Sequence, residues 1–226
     1  EAAFASGAQA ISTDYYVPST RFDSEYVVRL PSVARCNPVS APGPCALEAF
    51  SDPVVLVDAA ELVPGLRTYL RYAGSENFLG RPVTGYEAPR CLLTAPAAEA
   101  LAKAQALAKG EGLGLLMYDC YRPQRAVDDF VAWVGSSEPE PTKATYYPQV
   151  ERRTLIEQGY IADRSGHSRA STVDLTLVDG ATGAPLDMGT PWDFFDERSH
   201  TDNPSVNSVA KANRQLLKGF MEAAGV

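Results

Sequence analysis

The middle of the chain constrains the fold most, because it contains three elements in succession that are separated by clear stop signals. Residues 96–109 are rich in alanine, begin with a proline near the first turn and end before Gly110, which is typical of a helix. The apolar residues 113–118 follow and predict a strand. Residues 123–134 then predict a second helix with one apolar face.

Two later segments complete the predicted architecture. Apolar and polar side chains alternate over residues 172–178, which predicts a strand with one apolar face. Residues 206–224 predict a third helix that ends at Gly225. Because helices and strands are mixed without a regular strand–helix–strand repeat, we expect an α+β fold.

The length and charge of the chain limit its organisation and its partners. The 226 residues fit one domain with an appendage. We expect residues 1–60 to be a structural extension and residues 61–226 to be the main domain. The formal net charge of −8 and the lack of a basic stripe argue against binding to nucleic acid or to an anionic membrane. No apolar run approaches the roughly 20 residues that span a bilayer.

The four cysteines show no Cys-x-x-Cys spacing, which argues against a thiolate metal site or a thioredoxin-like pair. An even number suggests two disulfides in an exported chain, whereas four buried free thiols would suit a cytosolic one. Of the three possible connectivities we predict one bond between Cys36 and Cys45, across a Pro-rich loop, and one between Cys91 and Cys120, beside the helix at 96–109. Such bonds would place the protein outside the cytoplasm, as a secreted, periplasmic or cell-envelope protein.

The first of only two histidines, His167, has His-x6-Asp spacing to Asp174. The histidine lies in a polar loop, and the aspartate leaves the polar face of the predicted strand at 172–178. An imidazole and a carboxylate placed in this way can converge on one zinc ion. A hydrogen-bonded structural pair is the alternative, since spacing alone does not distinguish the two and a catalytic zinc site usually has three protein ligands.

Arg122 stands where the strand at 113–118 gives way to the helix at 123–134, so its backbone is held on both sides. A fixed guanidinium can bind a carboxylate or stabilise a developing oxyanion. A helix-capping or surface-paired arginine is the alternative. The segment 191–200 is also rich in polar and aromatic groups, and its Glu197 and His200 have Glu-x-x-His spacing. It could form the lip of a site or a buried polar turn.

These segments together resemble the D-alanyl-D-alanine dipeptidases of the vancomycin-resistance type. That family belongs to a larger group of zinc peptidases that includes D-Ala-D-Ala carboxypeptidases and the hedgehog signalling domain. The resemblance runs from about residue 66 to the end, and it implies a small central antiparallel sheet flanked by helices. The matching segments are Tyr-Ala-Gly-Ser-Glu-Asn-Phe (72–78), Gly-Arg-Pro-Val-Thr-Gly-Tyr (80–86), Tyr-Asp-Cys-Tyr-Arg-Pro-Gln (118–124), Ser-Gly-His-Ser-Arg-Ala-Ser (165–171), Val-Asp-Leu-Thr-Leu (173–177), Met-Gly (188–189) and Asp-Phe-Phe-Asp-Glu-Arg-Ser-His (193–200).

The resemblance also implies a role for each matching residue. His167 and Asp174 match two of the three zinc ligands, and Arg122 matches the arginine that stabilises the transition state. Asp193 matches the carboxylate that receives the free amino group of the substrate. The residues that match the lining of the small substrate pocket are Ser165 and Tyr72. The activity implied is zinc-dependent hydrolysis of a small dipeptide.

The chain departs from the family at two places. Cys120 stands where the family usually has glycine, so a disulfide there would brace the strand that carries Arg122. The family's general base and third zinc ligand lie in a Glu-Trp-Trp-His segment after the last helix, and this sequence ends at Val226. His200 matches a different position of the family. We therefore expect a further C-terminal segment with a Glu-x-x-His pair, supplied as a separate cleaved chain or lying beyond this sequence.

Three functions compete at this point. The first is hydrolysis of D-Ala-D-Ala by a zinc-activated water. The second is non-catalytic binding of cell-wall peptides by a protein of the same fold that has lost the base. The third is a related peptidase that acts on another substrate, such as an L,D-peptide or a carboxypeptidase target. Turnover of D-Ala-D-Ala with zinc separates the first two, and a panel of dipeptides separates the first from the third.

Overall fold

The structure, a computed structural model, describes residues 55–225. Its strands are β1 (Leu56–Asp58), β2 (Arg67–Thr68), β3 (Leu92–Thr94), β4 (Leu113–Asp119) and β5 (Asp174–Asp179). β1 and β3 pair antiparallel in one small sheet. In the other sheet β4 is central, with β2 parallel on one side and β5 antiparallel on the other.

Five α-helices accompany the two sheets in the described residues: α1 (Ala59–Leu62), α2 (Ala95–Gly110), α3 (Gln124–Gly135), α4 (Lys143–Tyr146) and α5 (Ser208–Ala224). Small sheets flanked by helices confirm the predicted α+β class. The short strand β2 runs parallel to β4, so the central sheet is mixed, while the long pairing of β4 with β5 is antiparallel as expected.

The stop signals of the sequence set the bounds of the longer elements. Pro123 has an extended ψ of 150° and forms the N-cap of α3, so the chain turns sharply after Arg122. The Asn207 side chain accepts the backbone N–H of Ala210 and fixes the start of α5. Gly225, with φ of +86°, ends that helix in the left-handed conformation that glycine adopts without a steric penalty.

Two hydrophobic clusters divide the interior. The first is aliphatic, and in it residues of α2 such as Leu101 pack with Leu115 of β4 and Leu177 of β5. The second is aromatic and surrounds α3, whose Phe130 and Trp133 pack with Tyr72 and neighbouring rings. Cys120 belongs to the first cluster, and the guanidinium of Arg122 lies over Phe130 of the second, so the loop between β4 and α3 contacts both clusters. This loop and the strand ends carry the candidate site.

The predicted disulfide between Cys91 and Cys120 is present. Cys91 precedes β3 and Cys120 follows β4, so the bond ties the two sheets together, and both residues are buried. The other predicted bond, between Cys36 and Cys45, lies outside the described residues, as does nearly all of the predicted extension 1–60. Among residues 55–225, no helix is both long enough and apolar enough to cross a membrane.

Candidate functional site

Two carboxylates lie at adjacent strand ends. Asp119 is the last residue of β4 and Asp174 is the first of β5, and the two are paired across the ladder beside an irregularity in its register. His167 is the buried residue of the 3-10 turn Gly166–Arg169, just before β5. The ligand atoms of these three side chains all lie within 4.8 Å of one another. The structure therefore brings together the predicted pair His167 and Asp174, and it adds Asp119.

The ring of His167 is held so that one nitrogen can bind a cation. Its Nδ1 lies 2.8 Å from the carbonyl oxygen of Cys120, and a carbonyl can only accept, so Nδ1 donates its proton there. In the neutral ring Nε2 then carries a lone pair, and it faces Oδ1 of Asp174 at 3.3 Å. Two acceptors that face each other at this distance need a proton or a metal ion between them, so the pair is compatible with a metal ion.

Burial and the neighbouring charges affect the protonation of His167 and Asp174. Burial disfavours the charged form of His167, but the Asp174 carboxylate outweighs it and raises the pKa of the imidazole. Burial also acts to raise the pKa of Asp174, yet the hydrogen bond and charge of His167, together with Arg122, hold that pKa below its usual range. These shifts favour an ion pair between a charged imidazole and an ionised Asp174 carboxylate.

Local contacts and backbone conformation fix the turn that carries His167. Its N–H donates to Oγ of Ser165 at 3.2 Å, which gives that predicted pocket residue a positioning contact in this structure. Gly166 allows a close approach, because a Cβ there would lie 2.9 Å from Oγ1 of Thr172. Ala170 closes the turn in the left-handed region at φ of 55°.

Arg122 is joined to the same turn. Its N–H donates to the carbonyl of His167 at 3.3 Å, and Oγ of Ser168 donates to its carbonyl at 2.9 Å. The guanidinium donates twice to Oδ2 of Asp119, at 3.0 Å from Nε and 2.8 Å from Nη2. Nη2 also lies 3.7 Å from Oδ2 of Asp174. The predicted arginine is thus fixed beside the His–Asp pair.

Asp119 acts as an anchor in this arrangement rather than as a third ligand. Its Oδ1 accepts from the hydroxyl of Tyr86 at 2.7 Å, and its Oδ2 accepts from Arg122. It lies on the Nδ1 side of His167, at 3.4 Å, away from the nitrogen that faces Asp174. Burial raises the pKa of Asp119, while the positive charge of Arg122 acts in the opposite direction. Sequence reasoning missed Asp119 and Tyr86, although the Asp-x-x-Arg spacing at the end of a strand was a usable signal.

The predicted amine-binding residue Asp193 lies next to Tyr72, whose hydroxyl donates to its Oδ2 at 2.6 Å. Burial, and then the negative charge of Asp174, raise the pKa of Asp193 to about 8. Asp193 and Asp174 both line an open cleft of about 1130 Å³. Asp193 has no salt-bridge partner among the described residues, and an ammonium group that entered this cleft would favour the ionised form of its carboxyl group.

Glu197 and His200 do not join this centre. Both are exposed, and they lie on and directly after the 3-10 turn Glu197–Ser199. Neither is among the three residues whose ligand atoms converge. In residues 55–225 their Glu-x-x-His spacing therefore brings no ligand atom to this centre, although His200 lines the same cleft.

A histidine and an aspartate that face each other as acceptors, beside a fixed arginine and a cleft with an unpaired carboxylate, are the components of a metal-dependent hydrolase. Comparison with known proteins narrows this class. A family model for D-Ala-D-Ala dipeptidases matches residues 53–226. The chain therefore belongs to the D-Ala-D-Ala dipeptidase family, which is a family of metallopeptidases, and it is an enzyme of that class.

Curated relatives agree with this assignment. The chain is 45% identical over 165 residues to a D-alanyl-D-alanine dipeptidase of Enterococcus faecalis, covering 73% of this chain and 82% of the relative. It is 46% identical to one of Streptomyces coelicolor with the same coverage. It is 38% identical to one of Escherichia coli over 179 residues, which is 78% of this chain and 80% of the relative.

A second family model, for Ca2+-dependent phosphoinositide phospholipase C, matches residues 1–38. These residues lie outside the described part of the chain. The match is shorter than a typical domain of about 50 residues or more, and it carries no functional assignment.

Proposed function

We propose that the protein hydrolyses D-Ala-D-Ala with a zinc ion held by His167 and Asp174. The observation that carries this proposal is the geometry of His167, whose Nδ1 is committed to Cys120 while Nε2 faces a carboxylate oxygen at 3.3 Å. Zinc accepts imidazole nitrogen and carboxylate oxygen at about 2.0–2.2 Å, and carboxylate–histidine arrangements of this kind suit it. The names of the relatives support the substrate.

Each remaining residue of the site has a task in this reaction. Asp193 accepts the free ammonium group of the dipeptide, and the hydroxyl of Tyr72 holds that carboxylate in place. Arg122, fixed by Asp119, adds positive charge where the oxyanion develops on the scissile carbonyl. Ser165 keeps the turn of His167 in position. A bound zinc ion would supply Lewis-acid polarisation and an activated water.

The test compares the only two histidines of the chain as matched variants. We expect the wild-type protein to bind one zinc ion and to release alanine from D-Ala-D-Ala. His167→Ala should lose most of the bound metal, measured by mass spectrometry, and all turnover. His200→Ala should keep both, because His200 is exposed and outside the centre. Full zinc occupancy in His167→Ala would sink the assignment, and loss of zinc in both variants would make His200 a ligand.

The same experiment separates the other functions. Zinc and dipeptide binding without turnover would favour the non-catalytic binding protein, and turnover of a different dipeptide alone would favour the related peptidase. The third zinc ligand and the general base stay predictions. We expect both in the further C-terminal segment with a Glu-x-x-His pair, and not at Glu197 and His200. A location outside the cytoplasm is supported by the disulfide between Cys91 and Cys120, since such bonds persist in oxidising compartments.

A further inference from the structure

Arg71 is a cation that the site described above does not use. It begins the 3-10 turn Arg71–Ala73, directly before Tyr72. Its guanidinium carbon lies 4.9 Å, 5.0 Å and 5.7 Å from the ring centroids of Tyr69, Tyr118 and Trp192. Aromatic faces hold a guanidinium in place without neutralising it. Arg71 is therefore positioned while its charge stays available.

The other cations near the cleft are already engaged. Arg214, which also lines the cleft, donates to three backbone carbonyls at 2.6–2.8 Å. Arg122 is paired with the buried Asp119. Within residues 55–225, by contrast, no carboxylate lies within salt-bridge distance of Arg71, and its buried Nε–H has no acceptor. A planar anion could accept hydrogen bonds from this guanidinium.

Arg71 shares the cleft with the carboxylate that is proposed for the substrate amine. Both Arg71 and Asp193 line it. Trp192, the residue before Asp193, contacts the guanidinium of Arg71 and also packs against Tyr72, with ring centroids 5.0 Å apart. Tyr72 in turn donates to Asp193, so a chain of contacts through Trp192 and Tyr72 links Arg71 to Asp193. A dipeptide is a zwitterion with one ammonium and one carboxylate, and this pair of charges is complementary to it.

We propose that Arg71 binds the α-carboxylate of the substrate and so determines specificity for a free C-terminus. The inference rests on the proposed function, in which Asp193 selects a free amine. Together the two residues would restrict the cleft to molecules that carry both charges a short distance apart. Peptides with a blocked or extended C-terminus would place a neutral amide against Arg71 and would leave its charge unpaired, which costs binding.

The test compares D-Ala-D-Ala with its C-terminal amide, in which the carboxylate is replaced by a neutral group. Turnover is measured first on the zinc-loaded protein. Affinities are then compared as KM for a compound that is hydrolysed and as dissociation constants from calorimetry for one that is not. We expect the wild-type protein to bind the free acid about 10–100-fold more tightly than the amide, the range of a charged hydrogen bond. Arg71→Gln should remove that preference by weakening binding of the acid alone. Arg71→Lys should keep part of it, because the charge remains without the planar fork.

Arg67→Gln is the matched control, since Arg67 lies four residues upstream and donates to Gly180. It should keep the full preference, and thermal unfolding verifies that each variant is folded. A preference for the acid that survives in Arg71→Gln, or an equal loss for acid and amide, would overturn the role of Arg71. Binding with the expected preference but without turnover would remove the proposed hydrolysis and leave Arg71 in its role. Binding of neither compound by the wild-type protein would overturn both.

Discussion

Removal of the disulfide between Cys91 and Cys120 tests how far the scaffold supports the metal centre. The bond closes a loop with a sequence separation of 29 residues. In the chain-entropy model a loop of this length corresponds to about 3.5 kcal/mol of stability, because the bond restricts the unfolded chain. Replacing both cysteines with alanine should therefore lower the melting temperature by roughly 7–14 °C, at about 2–4 °C per kcal/mol for a domain of this size.

The single variants Cys91→Ala and Cys120→Ala provide the internal control. Each of them breaks the same bond, so each should cost nearly as much as the double variant in urea unfolding. If the losses of unfolding free energy in the two single variants add up in the double variant, they reflect two independent packing defects. If the midpoint of the urea transition is unchanged, the bond contributes nothing to stability. Either result refutes the reasoning.

The same variants should weaken metal binding, because the carbonyl of Cys120 accepts the Nδ1 proton of His167. The carbonyl itself remains in the variant. The fall in zinc affinity should therefore be smaller than the roughly 10–100-fold that follows loss of such a partner. A competition titration with a chelator measures it, and an unchanged affinity would show that the bond does not help to position the histidine.

Three further perturbations address single residues. Arg122→Ala should lower kcat on the order of 10²–10³ with little change in KM, whereas a pure KM effect would mean that Arg122 only holds the substrate. Asp193→Asn should mainly raise KM for D-Ala-D-Ala, and undiminished affinity would contradict the amine-binding role. Asparagine suits this test because Asp193 has φ of 56°, which asparagine tolerates. Asp129→Asn should cost about 2 kcal/mol at pH 7 in urea unfolding, since the hydrogen bonds from Arg81 lower the pKa of Asp129 to about 2. That stability is present above about pH 4 and is lost as the pH falls toward 2, so a cost that does not shrink in acid would exclude the linkage.

The elements that the sequence predicted well are those with local signals. The helix at 95–110 and the strand at 113–119 were marked by proline, alanine content and glycine, and their observed bounds differ from the prediction by one residue. β2 carried no such signal, because it has two residues and depends on pairing with β4.

The candidate site also contains residues that local sequence signals indicated and residues whose contacts depend on long-range pairing. The His-x6-Asp spacing predicted that His167 and Asp174 lie together, as they do in the structure. The roles of Arg122 and Asp193 are predictions from the resemblance to the family. The function of Asp119 depends on the register of β4 against β5 and on Tyr86, which lies 33 residues earlier in the chain. The Asp-x-x-Arg spacing could have indicated the contact of Asp119 with Arg122, but the contacts with Tyr86 and with β5 exist only after the chain has folded.

The contacts between the turn of His167 and the loop of Arg122 have a consequence for protein design. Three hydrogen bonds join the loop at 120–122 to the turn at 167–168, and they run from Arg122 to His167, from Ser168 to Arg122 and from His167 to Cys120. The relative placement of the arginine and the histidine is therefore set inside one small backbone module. A designer who transplants the site to another scaffold would need to move both segments with the paired ends of β4 and β5. Grafting the side chains alone would carry over the residues without the hydrogen bonds that align them.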